Sequence, residues 1–268
     1  MLKGIHVSVA GGLEKALDAM KRESLECGQI FTSNQRRWKG RRVTEEEKSS
    51  FGRRSRPVIS HASYLINLAS RDPGVAARSE KGLMDELGRM KDLGIRWTVL
   101  HPGAHMGAGH SEGLRTVGRA VARILDSCGG DQGILFENTA GQGTMLGHSL
   151  DQLARLLELT GRRKRTGICF DSCHAFAAGY RLSTEDGMQR MIHEISTTFP
   201  PGAIGAFHLN DCLGSCGSHL DRHASPGRGL IGLEPLKVLA RQFPGIPGIV
   251  ETPGSDRDRA RDAELIFS

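Results

Sequence analysis

The 268-residue chain has no run of 18 or more apolar residues, so no helical membrane span is expected. Its opening residues, MLKGIHVSVAGG, contain no long apolar core and no clear cleavage site, and no signal peptide is expected. Cysteine is sparse and unpatterned. The six residues (Cys27, Cys128, Cys169, Cys173, Cys212 and Cys216) form no CxxC pair, and the chain is no small disulfide scaffold. Reduced thiols in a cytoplasmic protein are the expectation. Cys212 and Cys216, four apart, could suit a metal, although ordinary thiols beside a loop are the plainer reading. There is no internal repeat and no low-complexity linker. No GxGxxG follows the first apolar run, which counts against a doubly wound open sheet. Hydrophobic content of 38% and aromatic content of 5% fit a soluble globular protein. The net charge of +6 leans toward a polyanionic partner but does not specify one.

What is present is a rhythm. Eight short, nearly continuous apolar runs cover residues 3–9, 28–33, 57–62, 97–103, 133–139, 167–173, 204–210 and 248–254. Such runs are typical of strands buried on both faces. Most gaps carry helical spacing, clearest in GGLEKALDAMKRESL and EGLRTVGRAVARILDSC. Eight repeats of strand and helix predict a (β/α)8 TIM barrel, one domain over residues 1–268. The stretch after ETPG is short, so the last barrel unit is expected to be trimmed.

A titratable side chain stands near the end of seven runs: His6, His61, His101, Glu137, Asp171, His208 and Glu251. From His61 onward they recur every 34 to 43 residues, about one β/α unit. In a barrel they converge on the C-terminal face, where active sites are built. Taken singly, a strand-end histidine is usually structural; six groups in register are hard to obtain by chance. His174 follows Asp171, and the triplet DRH adds Asp221 and His223. The set of five His, two Asp and two Glu offers only nitrogen and oxygen, which suits Zn²⁺, Mn²⁺ or Fe²⁺. Nine ligands exceed one tetrahedral ion and suit two or three, a carboxylate bridging a pair. His105 and His219 lie close enough to support the set, whereas His110, His148 and His193 read as surface residues.

Two basic clusters fall on opposite faces. RRWKGRR places Arg36, Arg37, Lys39, Arg41 and Arg42 around Trp38 after the second strand, on the face of the proposed metals. A loop of this kind can hold phosphates and press a side chain into a base stack. RRKR, Arg162 to Arg165, precedes the sixth strand and reads as a solvated turn on the far face. SHASYLINLAS adds Tyr64 and Leu65 beside His61, as wedge residues or as loop packing. The glycines of ENTAGQG permit close backbone approach to a ligand.

HVSVAGG, FTSNQRRW, SHASYLINL, HPGAH, ENTAGQG, DSCHAFAAGY, HLND and DRH followed by GRGLIG together resemble the endonuclease IV family of apurinic/apyrimidinic endonucleases, over nearly the whole chain. The resemblance implies a trinuclear zinc centre on a TIM barrel. His61 and His101 would hold the first Zn²⁺, with Glu137 bridging to a second held also by Asp171, His208 and Glu251. His174, Asp221 and His223 would hold the third. Glu137 and Glu251 would be catalytic, and Arg36, Tyr64 and Leu65 would contact DNA. The implied partner is duplex DNA with abasic or 3′-blocked damage, bound by a monomer away from any membrane. Two departures stand out. The segment after Trp38 is short and rich in Arg and Ser, as in KSSFGRRSR, and the C-terminal helix looks clipped. Two rivals use the same barrel type: a sugar isomerase or epimerase with one or two divalent ions, and a catalytically silent DNA-binding or metal-buffering barrel.

Overall fold

The computed structural model describes residues 1–162 and 164–268. Eight parallel strands close a barrel: β1 (Leu2–His6), β2 (Cys27–Ile30), β3 (Val58–His61), β4 (Trp97–Leu100), β5 (Gly133–Glu137), β6 (Thr166–Asp171), β7 (Ile204–His208) and β10 (Pro247–Val250). The order β1-β10-β7-β6-β5-β4-β3-β2 matches the sequence rhythm. A two-stranded antiparallel hairpin, β8 (Asp211–Cys212) and β9 (His223–Ala224), rises between β7 and β10. All eight barrel strands stop short of the expected runs, so His101 and Glu251 lie one residue past β4 and β10. There the backbone leaves the ladder to turn side chains toward the barrel axis.

Inside the barrel, Cys27, Ile59, Val99, Leu135, Cys169, Ala206 and Ile249 form one buried layer, with Leu2 and Trp97 packed against it. Gly133 is required beside Trp97, because a Cβ there would overlap the indole and come within 2.8 Å of the Arg165 carbonyl. A larger apolar layer joins the outer strand faces to the helices.

The helices are α1 (Leu13–Arg22), α2 (Glu45–Gly52), α3 (Pro73–Leu93), α4 (His110–Ser127), α5 (Leu150–Thr160), α6 (Ser172–Ala178), α7 (Glu185–Thr198), α8 (Leu233–Gln242) and α9 (Asp256–Phe267). Their ends follow local chemistry. Asp72 caps α3 ahead of Pro73, and Gly94 ends it in the left-handed region. Ser149 caps α5, and Thr44–Glu47 and Ser255–Asp258 form capping boxes on α2 and α9.

Two expectations are corrected here. The last barrel unit is not trimmed: α9 runs twelve residues and buries Asp262, Ala263 and Ile266. The RRKR turn is not merely solvated, since Arg162 pairs with Asp126 and Arg165 donates to the carbonyls of Leu125, Cys128 and Gln132. Arg163 lies outside the described residues. The Arg/Ser-rich segment is ordered by similar bonds: Arg54 donates to the carbonyls of Phe51, Leu93 and Gly94, and Arg56 to that of Met20. Among the described residues no helix is long and apolar enough to cross a membrane.

Candidate metal centre

The barrel brings all nine expected ligand residues to its C-terminal mouth. His61, Glu137, Asp171 and His208 are the last residues of their strands, and His101 and Glu251 follow theirs. Asp171 also caps α6, its Oδ1 accepting from the His174 N–H at 2.7 Å, which sets His174 one turn above it. The β8–β9 hairpin lowers Asp221 and His223 from the opposite side: Asp221 lies 3.2 Å from His174 Nε2 and 3.2 Å from His223 Nε2.

Their donor atoms fall into overlapping groups, each with members within 4.8 Å of one another. One is His61, His101 and Glu137; another is Glu137, Asp171, His208 and Glu251; a third is Asp171, His174 and His223. Glu137 therefore belongs to two of these three groups. Its Oε2 is 2.8 Å from His101 Nε2 and 3.2 Å from His61 Nε2, while its Oε1 is 2.7 Å from His208 Nδ1.

The surrounding bonds aim the imidazoles. His61 Nδ1 donates to the Ala62 carbonyl at 2.8 Å, and His174 Nδ1 to the Asn138 carbonyl at 2.9 Å, which turns each Nε2 toward the cluster. His208 is turned the other way, with Nε2 donating to Gln29 Oε1 at 2.9 Å and Nδ1 toward Glu137 and Glu251. An outer partner that fixes the tautomer is the ordinary arrangement around a metal-binding histidine.

The donor set fits divalent cations. The carboxylates of Glu137, Asp171 and Glu251 crowd one largely buried space with Asp221 at its more exposed edge, and among the described residues no lysine or arginine pairs with any of the four. His223 Nε2 is buried and, though near Asp221, makes no aligned hydrogen bond. Burial alone would raise the Glu137 carboxyl, but His208 and His101 outweigh it and hold the group well below its usual range. Burial likewise opposes charge on His223, yet Asp221 and Asp171 push it up to about 9. His174 is also driven well above the ordinary histidine value, against burial, by Asp171, Asp221 and Glu137, and His208 by Cys169, Glu251 and Glu137. Metal ions would take over the charge balance these protons supply, releasing them on binding.

A cleft of about 380 Å³ opens beside the cluster, lined in part by His61, Tyr64, Asn67, His101 and Asp221. Tyr64 is 63% exposed at its rim, with its ring 5.5 Å from that of His61 and 5.9 Å from that of His101. Leu65 is half-buried beside it, and Arg36 is exposed on the neighbouring loop. The Ser63 hydroxyl donates to the Gln35 carbonyl at 2.8 Å, which ties the Tyr64 loop to the Arg36 loop.

Sequence reasoning missed the amides behind the ligands. Gln29 Nε2 donates to Glu251 Oε1 at 2.6 Å, Asn210 Nδ2 to Asp171 Oδ2 at 2.8 Å, and Asn138 Oδ1 accepts from the Asp171 N–H at 2.7 Å. A lone amide inside an apolar strand, as at Gln29, was the available signal. His6 also reaches Glu251, with Nδ1 at 3.1 Å. Two cysteines enter metal-capable groups: Cys169 with Glu137 and His208, and Cys173 with Asp221 and His223. Burial pushes the Cys169 thiol up to about 12, which keeps it protonated. Cys212 and Cys216 form no site together, since Cys212 is buried facing Cys173 and Cys216 is exposed. His105 and His219 hold loop backbone, at Gly109 N and Ala140 O. His110 and His193 are exposed as expected, while His148 is half-buried.

Residues 17–267 match a family model described as the xylose isomerase-like TIM barrel. The chain is 40% identical over 262 residues to a probable endonuclease 4 of Nitratidesulfovibrio vulgaris, covering 95% of this chain and 93% of the relative. It is 40% identical over 267 residues to a probable endonuclease 4 of Chloroflexus aurantiacus, covering 97% and 93%. Among solved structures, endonuclease IV from Thermus thermophilus superposes with a TM-score of 0.88 at 28% identity, covering 99% of this chain and 97% of that one.

Proposed function

The chain belongs to the endonuclease IV family, and on that basis we propose that it hydrolyses the phosphodiester 5′ to an abasic site in duplex DNA. Three divalent ions, Zn²⁺ in the first instance, would share the nine donors. His61, His101 and Glu137 would hold the first, Glu137, Asp171, His208 and Glu251 the second, and His174, Asp221 and His223 the third. When bound, such ions acidify a water toward neutral pH and place positive charge against the phosphate. The observation that carries the reading is the convergence of these nine donors beside a cleft lined in part by Tyr64.

The chain's own residues do the rest. An abasic nucleotide has lost its stacking and pairing, so turning it out of the duplex costs less than flipping a normal one. Tyr64 and Leu65 fill the gap it leaves, and Arg36 holds the backbone. Glu137 and Glu251 orient the attacking water, with Gln29 fixing the Glu251 carboxylate. The water oxygen bonds to phosphorus, the bond to the 3′ oxygen breaks, and that oxygen leaves with a proton. The products are a 3′-hydroxyl and a 5′-deoxyribose phosphate. The same site would trim blocked 3′ ends, and a cytoplasmic monomer suffices for it.

A duplex with one abasic analogue, assayed without added Mg²⁺ before and after metal stripping, tests the reading. A single cut 5′ to the lesion, lost on stripping and restored by zinc, is the expected result. Protein holding about three metal ions per chain that makes no cut would favour the sugar isomerase or the silent barrel.

A further inference from the structure

The basic loop at residues 33–42 is anchored from below by α3, through side chains the proposed chemistry does not use. Arg78, Gly82, Glu86 and Arg89 step along one face of that helix at spacings of four, four and three. At the start of the loop, the buried Thr32 hydroxyl donates to Glu86 Oε2 at 2.5 Å, and Arg89 Nε donates to Thr32 Oγ1 at 2.8 Å. Arg89 Nη2 closes the triangle on Glu86 Oε2 at 2.7 Å. Toward the loop's other end, a Cβ at Gly40 would sit 2.5 Å from Arg89 Nη1 and 3.2 Å from Ser33 Cβ, so both ends meet at one guanidinium. In the middle, the Trp38 ring lies under the Arg78 guanidinium, 5.6 Å from centroid to Cζ, and against Gly82.

We propose that Glu86 and Arg89 are positioning residues that hold the basic loop ordered before DNA arrives, so that its cations meet the backbone without a separate ordering cost. This rests on the DNA reading above. A mutually bonded triad, with Thr32 and Glu86 buried and Arg89 largely so, at the base of an otherwise exposed cationic loop is a costly arrangement for a loop with no fixed geometry to keep. Ordering the loop in the free protein removes an entropic penalty from binding, and Ser63 passes the same order to Tyr64.

The test compares Glu86→Gln, which keeps the side chain's size but removes its charge, and Arg89→Lys, which keeps the charge but loses the fork of donors, with the parent chain in a Trp97→Phe background where Trp38 is the remaining tryptophan. Three quantities are read: affinity for a duplex with an abasic analogue, hydrolysis of bis(p-nitrophenyl) phosphate, and acrylamide quenching of Trp38. The expected result is duplex binding weaker by roughly tenfold, small-diester hydrolysis within about twofold of the parent, and a more accessible Trp38. Duplex affinity within about twofold of the parent despite a freed Trp38 overturns the proposal, as does parallel loss of small-diester hydrolysis, which marks general damage. If the parent binds and cuts no abasic duplex, the functional reading fails instead. Unchanged Trp38 quenching in both variants then rejects the anchoring by itself.

Discussion

Asp211→Asn should damage one part of the centre without touching any of the nine donors. The Asp211 carboxylate is fully buried and accepts backbone N–H groups from Cys212 at 2.8 Å, Gly227 at 2.9 Å, Gly229 at 3.0 Å, Ile231 at 2.9 Å and Gly232 at 3.3 Å. Residues 227–232 are wrapped around this one side chain, and Gly229 is required because a Cβ there would lie 2.5 Å from Asp211 Oδ1. Asparagine offers one oxygen where aspartate offers two. In either amide orientation an NH₂ then faces two backbone donors. Two bonds to a charged acceptor are lost, about 1.5–3 kcal/mol each, for a total of about 3–6 kcal/mol. At about 2 °C per kcal/mol for a chain of this length, Tm should fall by about 6–12 °C. Asp211 pairs with Ala224, and Cys212 with His223, across the hairpin, so the loss is felt where Asp221 and His223 are held. Metal content, measured by elemental analysis after gel filtration, should drop by about one equivalent per chain while the ions on the barrel strands remain. A variant that melts within about 1 °C of the parent and keeps its full metal content would show that the five N–H bonds do not support the hairpin.

Glu251→Ala should abolish cleavage of the abasic duplex and leave DNA binding largely intact; cutting near the parental rate would remove Glu251 from the chemistry. Gly133→Ala forces a methyl into the Trp97 ring and toward the Arg165 carbonyl, and should cost about 1–3 kcal/mol in a denaturant titration without altering metal content. An unchanged midpoint would mean the barrel floor yields more easily than its packing implies. Glu47 is held below its usual range by the Arg41 guanidinium, against burial, with help from the Thr44 N–H. A depressed folded-state value means its contribution is complete above the ordinary value of 4.5 and fades as pH falls through the lower one. Glu47→Gln should therefore be less stable than the parent at neutral pH, and the gap should narrow in acid; a gap that is constant down to low pH contradicts the pairing.

Local periods along the chain were enough to specify the barrel and the donors at its mouth. Apolar runs one β/α unit apart make parallel strands, and a polar residue at the end of each run must then reach the same rim. His61, His101, Glu137, Asp171, His208 and Glu251 were legible for that reason, and DRH was legible as a triplet. What holds those donors in place became visible only in the closed barrel. Gln29 meets Glu251 across 222 residues and His208 across 179, a pairing that exists only because the barrel closes β2 against β1 and β1 against β10. His105 and His219 could not be sorted from the ligands by spacing, since whether an imidazole faces an ion or a loop carbonyl depends on how separate loops pack. The α3 face beneath the basic loop was hidden in the same way: Thr32 and Glu86 are 54 positions apart, and no local period links a loop to the helix on which it rests.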